Sequence, residues 1–448
     1  MNVSENYRGI ALGSVIGKVF DRIILSKHWD TLKSSDMQFG FKPKHSTTQC
    51  TFVVEEVIQY YQNRESDMYV CMLDASKAFD RVHYVKMFSL LLKKGVCPLV
   101  ARVLSTLYTN QSVNIKWGNT KSSSFEVSNG VKQGGILSPI MFAVYMDEMF
   151  MRLKNAGYGC YIGSLFVGSL GYADDSILLS PSIYALKLML NIVHKYGNEY
   201  NVKFNPEKSK LLCYLKGRSS IKGIRYGDVY IEAVDCYDHL GNPLGPGVKN
   251  TDVNSITIKF IQSVNYVLSV FGKCHSSIKY QLFKSYCMPL YGAMLWDFSL
   301  INNIEFFLIQ WRKCIRKVWG LPSTTHCNLL DLICQDIPVI MQLHKRFMKF
   351  FCSLINSENV YLNTCAKLAL NGSCSKLCNS ITHICHKYHL NRYSIGVNNG
   401  ILLNSVLATD QDLMCAGNIL DLCYIRDSSC TMLSSEELNE LLMFFCTK

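Results

Sequence analysis

The sequence lacks the long apolar run that a membrane-spanning helix requires. Such a helix needs about 18 or more consecutive apolar residues, and the most apolar stretch, from Gly134 to Met146, is shorter than that. The first residues, MNVSENYRGIALG, have neither a charged segment followed by an apolar core nor a small-residue cleavage site. We therefore expect a soluble, intracellular protein of the nucleus or cytoplasm that is not secreted and has no membrane partner.

The sequence also has too few cysteines for a small disulfide-stabilised fold and too few acidic residues to balance its basic ones. Its 20 cysteines in 448 residues fall below the roughly 8–10% of disulfide scaffolds, so reduced thiols are expected. Lys and Arg number 46 against 34 Asp and Glu, which gives a formal charge of +12. This excess favours a polyanionic partner such as nucleic acid, although a solvated basic surface would give the same count.

Composition and periodicity divide the chain into three regions. Residues 1–245 alternate short apolar strands with helix-like segments, whereas residues 246–330 are mostly helical. A turn-forming Gly-Pro-Gly cluster at 245–247 marks the boundary between them. Residues 331–448 contain 10 of the 20 cysteines. We predict an α+β fold with a helical, Cys/His-containing region at its C-terminal end.

The segment MYVCMLDASKAFD contains the first candidate catalytic residue. The apolar run from Tyr69 to Leu73 predicts a buried strand that ends at Asp74. A carboxylate at the end of a buried strand is unfavourable unless it is paired or holds a metal, so Asp74 is a candidate metal ligand. Asp80 precedes a helix-like stretch and is interpreted as a helix N-cap.

The segment GSLGYADDSILLS contains two further acids. Apolar residues flank the polar pair, which predicts a β-hairpin whose turn carries Asp174 and Asp175. A solvated turn is the alternative, but the neighbouring Tyr172 and the apolar run that follows favour a site. Successive side chains of a strand point to opposite faces, so both acids share a site only if the turn redirects one of them.

Three carboxylates brought together suit two Mg²⁺ ions. Mg²⁺ prefers hard oxygen ligands, and a pair of ions stabilises both the attacking and the leaving oxygen of a phosphoryl transfer. Like charges at close range raise the pKa of a carboxyl group, and a bound cation keeps it ionised. The acids at 74, 174 and 175 therefore suggest a metal-dependent phosphoryl transferase.

With YADD at 172–175, an upstream Asp and a Gln-Gly turn between them, the chain resembles reverse transcriptases, most closely those of non-LTR retrotransposons (long interspersed elements). Segments 7–24 and 38–50 resemble the two fingers blocks of that family. Five later segments resemble the family's motifs A to E, in that order: MLDASKAFD, NGVKQGGILSPIMF, GYADD, NVKFNPEKSKLLC and YDHLGNPLG. The resemblance covers residues 7 to about 245 and extends more weakly to 326.

The resemblance implies a right-hand polymerase that extends a primer 3′-OH with dNTPs on an RNA template. Fingers and an antiparallel palm sheet would occupy residues 1–245, and a helical thumb would occupy residues 246–330. It implies that Asp74 and Asp174 are the main metal ligands, assisted by the backbone carbonyl of Ala75, with Asp175 close by. The metal would be two Mg²⁺ ions, which Mn²⁺ could replace. Lys208 matches a lysine thought to protonate the pyrophosphate leaving group; a solvated loop lysine is the alternative.

The resemblance also assigns residues to the substrate. Phe79 would be a steric gate that excludes the 2′-OH of a ribonucleotide, although a core phenylalanine is the commoner case. Gln133 and Gly134 would pack against the incoming nucleotide and the template base, where glycine permits close backbone approach. Tyr172, the first residue of YADD, belongs to the same substrate-binding set.

Basic residues are implied at two places. Lys42 and Lys44 in the second fingers block would neutralise the triphosphate; the family more often has Arg at the first position, which would bind bidentately. The segment FFLIQWRKCIRKVWGLP is amphipathic as a helix. Its apolar face is predicted to consist of Phe307, Trp311, Ile315 and Val318. Its basic face, which would contact duplex phosphates or simply be solvated, consists of Arg312, Lys313, Arg316 and Lys317.

The C-terminal region has the spacing C-x3-C-x7-H at Cys374, Cys378 and His386. Some non-LTR elements have a C-terminal Cys/His motif that this resembles. The expected fourth ligand position is Asn391, for which His389 or Cys385 could substitute. A structural zinc site needs four N or S ligands. A zinc ion in this region is therefore left open, and the catalytic hypothesis does not include it.

Two alternatives remain. The start at Met1 leaves no room for the endonuclease that intact elements usually carry upstream, which motivates a catalytically silent remnant that binds nucleic acid without turnover. A magnesium-dependent nuclease also clusters Asp residues, but the ordered series from motif A to motif E disfavours it.

Overall fold

The computed structural model describes residues 9–217, 221–248, 251–371 and 375–388. The chain forms two compact units, Met1–Leu240 with Leu244–Gly247, and Gly241–Pro243 with Val248–Lys448. The division predicted at residue 330 falls inside the second unit, and the assignment of residues 246–330 to a thumb stays a prediction.

The first unit contains a mixture of helices and strands among its described residues. Its helices are α1 (Val15–Leu32), α2 (Thr47–Gln62), α3 (Tyr84–Lys93), α4 (Pro98–Thr109), α5 (Ser138–Ala156) and α6 (Ile183–Tyr200). Its strands are β1 (Met68–Ala75), β2 (Ser112–Val113), β3 (Lys116–Trp117), β4 (Thr120–Lys121), β5 (Phe125–Glu126), β6 (Tyr161–Ile162), β7 (Leu165–Phe166), β8 (Ser169–Tyr172), β9 (Asp175–Ser180), β10 (Phe204–Tyr214), β11 (Gly223–Tyr226), β12 (Val229–Glu232) and β13 (Tyr237–His239). A further strand, β14 (Asn242–Leu244), has residues from both units. The α+β prediction is confirmed.

A four-stranded sheet with the order β10-β1-β9-β8 lies at the centre of this unit. All three pairings are antiparallel. Every residue of β1 from Met68 to Leu73 is buried, as expected for an apolar strand that is covered on both faces. Helix α5 is also buried along most of its length, and its Phe142, Met146 and Phe150 are fully buried.

Local sequence explains where two of the neighbouring helices begin. The Ser46 hydroxyl accepts from the Gln49 N–H, and the Gln49 side chain accepts from the Ser46 N–H, which forms a capping box at the start of α2. The Ser182 side chain caps α6 in the usual way. Helix α5 ends at Gly157, whose φ of 75° is left-handed.

The second unit is helical in its described part. It contains α7 (Thr251–Phe271), α8 (Ser276–Tyr286), α9 (Ile301–Trp319), α10 (Cys327–Cys334), α11 (Val339–Ile355), α12 (Val360–Asn371) and α13 (Lys376–Lys387). The four residues predicted for the apolar face of the amphipathic helix all lie buried in α9. The helix ends at Gly320, whose φ is 69°, so this helix and its end are confirmed.

Two expectations from composition can be compared with the described part of the chain. Its cysteines are all free thiols. None of its helices combines the length and the apolar character needed to cross a membrane.

Candidate active site

Asp74 lies next to a β-bulge between β1 and β10. The register changes from Met72 opposite Lys210 to Asp74 opposite Asn205, so β10 carries three extra residues at this point. The buried Ser209 hydroxyl spans the bulge: it accepts from the Asp74 N–H at 3.2 Å and donates to the Asn205 carbonyl at 2.7 Å. One side chain therefore fixes the end of β1 where the half-buried Asp74 leaves the regular ladder.

The other two acids lie at the β8–β9 hairpin. Tyr172 pairs with Asp175, so the two-residue turn consists of Ala173 and Asp174, whereas Asp175 is the first residue of β9. This differs from the prediction that the turn carries both acids. The φ of Ala173 is 60°, a left-handed conformation that is uncommon for a residue with a Cβ atom.

Asp74 and Asp174 lie close enough to Asp175 to affect its ionisation. Leu73 of β1 is opposite Ser176 of β9, so one further step along the strands brings Asp74 opposite Asp175, on the same face of the sheet. Burial and the nearby negative charges of Asp174 and Asp74 raise the pKa of Asp175 to about 6. The geometry of the turn and the strands thus brings Asp175 next to Asp74, which the sequence alone had left open.

Whether these acids fit a divalent cation depends on chemistry and on arrangement. Their carboxylate oxygens are the hard ligands that Mg²⁺ prefers, and the raised pKa of Asp175 is the effect that a cation would reverse. Among the described residues, however, no group of three His, Cys, Asp or Glu side chains already has the spacing of a metal site. The acids fit by donor type and charge, and side-chain rotation is needed to bring their oxygens together.

Phe79 lies half-buried in a short 3₁₀ turn, Phe79–Arg81, that follows β1. Its ring stacks on Phe142 of α5, with 4.3 Å between centroids, and meets the exposed Phe41 edge-on at 6.0 Å. Its carbonyl accepts from the Val131 N–H at 2.8 Å. The ring is therefore held on two sides, between the fingers segment and α5.

The segment Gln133–Gly134 contacts residues before and after it in the chain. The Gln133 side chain donates to Asp80 at 3.4 Å, and its carbonyl accepts from the Ala11 N–H at 2.7 Å. The interpretation of Asp80 as an N-cap is wrong: α3 starts at Tyr84 with His83 before it. At Gly134, where φ is +104°, an added Cβ would lie 3.0 Å from the Ala11 carbonyl oxygen, so this position requires glycine.

The two fingers lysines have different surroundings. The Lys42 ammonium donates to the Ser35 carbonyl at 2.5 Å and lies 3.8 Å from Asp36, and only 10% of its side chain is exposed. Burial lowers the pKa of Lys42. Lys44 is exposed, so of the two it is the one whose ammonium faces solvent. This burial was not predicted, because its cause is a contact with the preceding loop.

A buried carboxylate that was missed from the sequence holds that same loop. Asp147 of α5 is only 3% exposed and accepts from the Ser35 N–H at 2.8 Å. The Lys94 ammonium lies 3.8 Å from it. An acid directly after the apolar run Ile140–Met146 was the available signal, because a buried charge must be paired.

The remaining residues assigned to the palm lie around the strand ends. Lys208 is exposed, within the extra residues of the β10 bulge. Ala75 is the last residue of β1 and pairs with Phe204. Tyr172 is half-buried at the end of β8.

The four basic residues of α9 do not form one uniform surface. Arg316 donates to the Thr325 carbonyl through two nitrogens, at 3.1 and 2.7 Å, and thereby fixes the chain after the helix. Lys313 and Lys317 are exposed. Arg312 is half-buried, and its charge partly opposes the burial that raises the pKa of Asp331. The two lysines are the accessible charges.

The proposed Cys/His motif is only partly within the described residues. Cys374 lies outside them. Cys378 is buried in α13 and its thiol contacts the Leu370 carbonyl at 3.7 Å, whereas His386 is exposed on the same helix. A three-ligand metal group is absent from the described part of the chain.

An antiparallel sheet that carries one acid at the end of its central strand and two at the adjacent hairpin defines the palm of a nucleic-acid polymerase. The sequence model of the family "Reverse transcriptase (RNA-dependent DNA polymerase)" matches residues 2–259. The chain belongs to that family.

Curated relatives are reverse transcriptases of non-LTR retroelements, as the motif resemblance predicts. The Pol polyprotein from type-2 retrotransposable element R2DM of Drosophila melanogaster is 24% identical over 55% of this chain and 23% of its own length. The RNA-directed DNA polymerase from mobile element jockey of the same species is 24% identical over 71% of this chain and 36% of its own length. The chain thus spans about a quarter to a third of these relatives.

Solved structures with some similarity include telomerases. Apo telomerase from Candida tropicalis is 13% identical, covers 90% of this chain and 60% of its own, and gives a TM-score of 0.40.

Proposed function

We propose that the chain is an RNA-directed DNA polymerase that extends a primer 3′-OH with dNTPs on an RNA template. The observation that carries the proposal is the approach of Asp74, Asp174 and Asp175 at adjacent ends of the palm strands, where burial and the charges of the other two acids raise the pKa of Asp175 to about 6. Crowded acids of this kind are typical of a functional site, and membership of the reverse transcriptase family gives the site its chemistry.

In the proposed mechanism, the carboxylates of Asp74, Asp174 and Asp175 and the Ala75 carbonyl would hold two Mg²⁺ ions. Divalent ions at such a site supply charge stabilisation for the attacking and leaving oxygens. The protein's own contribution is to keep the three carboxylates at fixed positions, so that the primer end and the triphosphate are aligned before reaction.

Nucleotide selection would depend on Phe79, Tyr172 and the Gln133–Gly134 segment. The support for Phe79 as a steric gate is its ring, which is held by Phe142 and Phe41 at one edge of the site. A ring fixed in this way would clash with a ribose 2′-OH, the group that distinguishes the two kinds of nucleotide. Gln133 and Gly134 would face the base of the incoming nucleotide.

Cationic side chains would compensate the charge of the triphosphate. Lys44 is the better candidate of the two fingers lysines because it is exposed, whereas Lys42 would have to leave its contacts with Ser35 and Asp36. Lys208, which is exposed on the β10 bulge, would donate a proton to the leaving pyrophosphate.

The nucleic acid would contact basic residues of α9. Its exposed Lys313 and Lys317 would bind phosphates, and Arg312 would add to them, whereas Arg316 already binds the Thr325 carbonyl. The formal charge of +12 supports a polyanionic partner. Binding of this kind weakens as salt rises, because counterions are released from the nucleic acid.

The test is primer extension on a primed RNA template with dNTPs and Mg²⁺ or Mn²⁺. The Asp174→Ala variant is compared with Asp228→Ala, which removes an exposed acid from a second two-residue turn in the same unit. We expect extension by the wild type and by Asp228→Ala and none by Asp174→Ala. Binding of RNA without extension under either metal would instead support a catalytically silent nucleic-acid-binding protein.

A further inference from the structure

Gln38 is a buried polar residue to which neither the motif assignments nor the proposed mechanism gives a role. It is 0% exposed and lies between two residues whose backbones bond to β8. The Gly171 N–H donates to the Met37 carbonyl at 2.9 Å, and the Phe39 N–H donates to the Gly171 carbonyl at 2.7 Å. These bonds form a parallel bridge between Gln38 and Gly171, so the segment lies against the strand that leads into the acidic turn.

The Gln38 side chain binds the backbone of that turn. Its Oε1 accepts from the Ala173 N–H at 2.9 Å and from the Gly40 N–H at 2.9 Å, and its Nε2 donates to the Ala173 carbonyl at 3.1 Å. Both polar backbone groups of Ala173 therefore bind one side chain from a residue 135 positions away in sequence. A carboxamide suits this task because it offers an acceptor and a donor on one planar group.

The backbone of Ala173 needs such support. A φ of 60° is unfavourable for an L-residue with a Cβ atom and persists only where surrounding contacts enforce it. The space around the turn leaves little room for adjustment. A Cβ added at Gly40 would lie 2.3 Å from the Ala173 nitrogen, and one added at Gly171 would lie 2.3 Å from the Phe150 ring.

We propose that Gln38 is a positioning residue that fixes the orientation of Asp174 by holding the peptide groups on either side of Ala173. The proposal rests on the proposed function, in which Asp174 is a metal ligand. The Ala173 carbonyl belongs to the peptide that continues directly into Asp174, so rotation of this peptide redirects the Asp174 side chain. Without the carboxamide, the turn would relax away from its left-handed conformation and the carboxylate would move from its place beside Asp74 and Asp175.

The first experiment compares Gln38→Met with Gln49→Met. Both replace a buried glutamine by an unbranched apolar side chain, but Gln49 belongs to the capping box at the start of α2. We expect Gln38→Met to lower kcat by on the order of 10- to 100-fold, as misplacement by about 1 Å does, with little change in KM for dNTP. The kcat of Gln49→Met should stay within about twofold of the wild-type value, although the variant loses the bond from the Ser46 N–H to the Gln49 side chain. Equal kcat in the two variants at matched thermal stability would overturn the proposal.

A second readout does not need turnover. The Ala173 amide is bonded to Gln38, so hydrogen exchange of a peptide that spans residues 171–176 should be faster in Gln38→Met and unchanged in Gln49→Met. Mn²⁺ binding measured by electron paramagnetic resonance should weaken both in Gln38→Met and in Asp174→Ala. If the wild type failed to extend primers, the proposed function would fail while these measurements still decided the role of Gln38. Unchanged exchange and unchanged Mn²⁺ binding would refute that role.

The Gln38→Glu variant adds a pH profile of activity, which is compared with the thermal stability of the variant at each pH. A protonated carboxyl group can still accept from the Ala173 N–H and donate to its carbonyl, whereas an ionised one has lost the donor. Burial near three acids raises the pKa of the introduced group. We expect activity relative to wild type to be near normal at low pH and to fall as pH rises. A pH-independent ratio would contradict the proposal.

Discussion

Two hairpins of the first unit have turns of the same kind, and only one of them is proposed to do chemistry. The β8–β9 turn has Tyr172 paired with Asp175 around Ala173 and Asp174, and the β11–β12 turn has Tyr226 paired with Val229 around Gly227 and Asp228. In both, the first central residue has positive φ, 60° at Ala173 and 58° at Gly227. Positive φ at this position alone is the pattern of a type II′ turn, which prefers glycine there.

The two turns reach this conformation by different means. At Gly227 the residue type itself permits it, so the local sequence is sufficient. At Ala173 the conformation is held by the distant Gln38. The hairpin that is proposed to be catalytic thus has a strained turn with long-range support, whereas the other hairpin has a turn that its local sequence permits.

The largest expected effect is a difference in primer extension between variants of Asp174 and Asp228, the acids of the two turns. Loss of a metal-binding carboxylate removes several kcal/mol of transition-state stabilisation, so Asp174→Ala should reduce primer extension by about 10³-fold or more. Asp228→Ala should change it less than about twofold, because surface substitutions away from special features are near neutral. Rates are measured at saturating primer-template, and comparable losses in both variants would break the comparison.

The next effect is a contribution to the pH dependence of stability that the first hairpin should make and the second should not, since Val229 stands where the first hairpin has Asp175. The pKa of Asp175 rises from 3.8 to about 6 on folding, so the folded state binds the proton more tightly than the unfolded state. Without divalent metal, this contribution to stability is present below pH 3.8 and is lost as pH rises to 6. We expect a loss of about 1–2 kcal/mol after allowance for partial solvent exposure.

Urea unfolding between pH 4 and pH 8 in the presence of a chelator measures this loss. The Asp175→Asn variant should lack this part of the pH dependence, and added Mg²⁺ should stabilise the wild type more than the variant. The same pH profile in both proteins would show that the crowding at Asp175 has no energetic consequence.

Substitutions at the first central residue of each turn test whether the two turns differ in backbone strain. Gly227→Ala places a Cβ in a left-handed conformation and 2.6 Å from the His194 ring, so it should destabilise the protein by about 1–2 kcal/mol. Primer extension should be unaffected, because this turn is proposed to be structural. Chemical denaturation gives the stability, and an unchanged midpoint would show that the second turn tolerates a side chain.

The smallest effect is expected for the reverse change. Ala173→Gly relieves the strain of the left-handed residue but makes the unfolded chain more flexible, so stability should rise by no more than about 1 kcal/mol. Activity should fall slightly if Gln38 alone keeps a more mobile turn in place. A large loss of stability would mean that the Ala173 methyl group is important for packing.

Local sequence predicted the elements that hold the acids. Strand β1 and the hairpin were visible because apolar runs flank the polar residues, and the buried face of α9 was visible from its helical period. The contacts that adjust these elements were not visible. Ser209, Gln38 and Asp147 each bind a residue more than 100 positions away, and a single sequence does not reveal which distant residues meet.

The same limitation explains the residues that behave differently from expectation. Lys42 was assigned to the triphosphate from its motif, but its ammonium binds Ser35. Arg316 was placed on a basic face from its helical position, but its guanidinium binds Thr325. Periodicity gives the direction of a side chain and not the partner that a neighbouring loop provides.

The bulge in β10 has a consequence for self-association. Strand β10 lies at the edge of its sheet, and an exposed edge is a template for pairing with a second chain. Part of this edge is covered, because the Val234 N–H donates to the Leu211 carbonyl. Towards Asp74, the uncovered part carries Pro206, Glu207 and Lys208 in the bulge. An interrupted ladder with a proline and two charges is a poor template for another strand, so we expect the irregularity beside Asp74 also to protect the palm against aggregation.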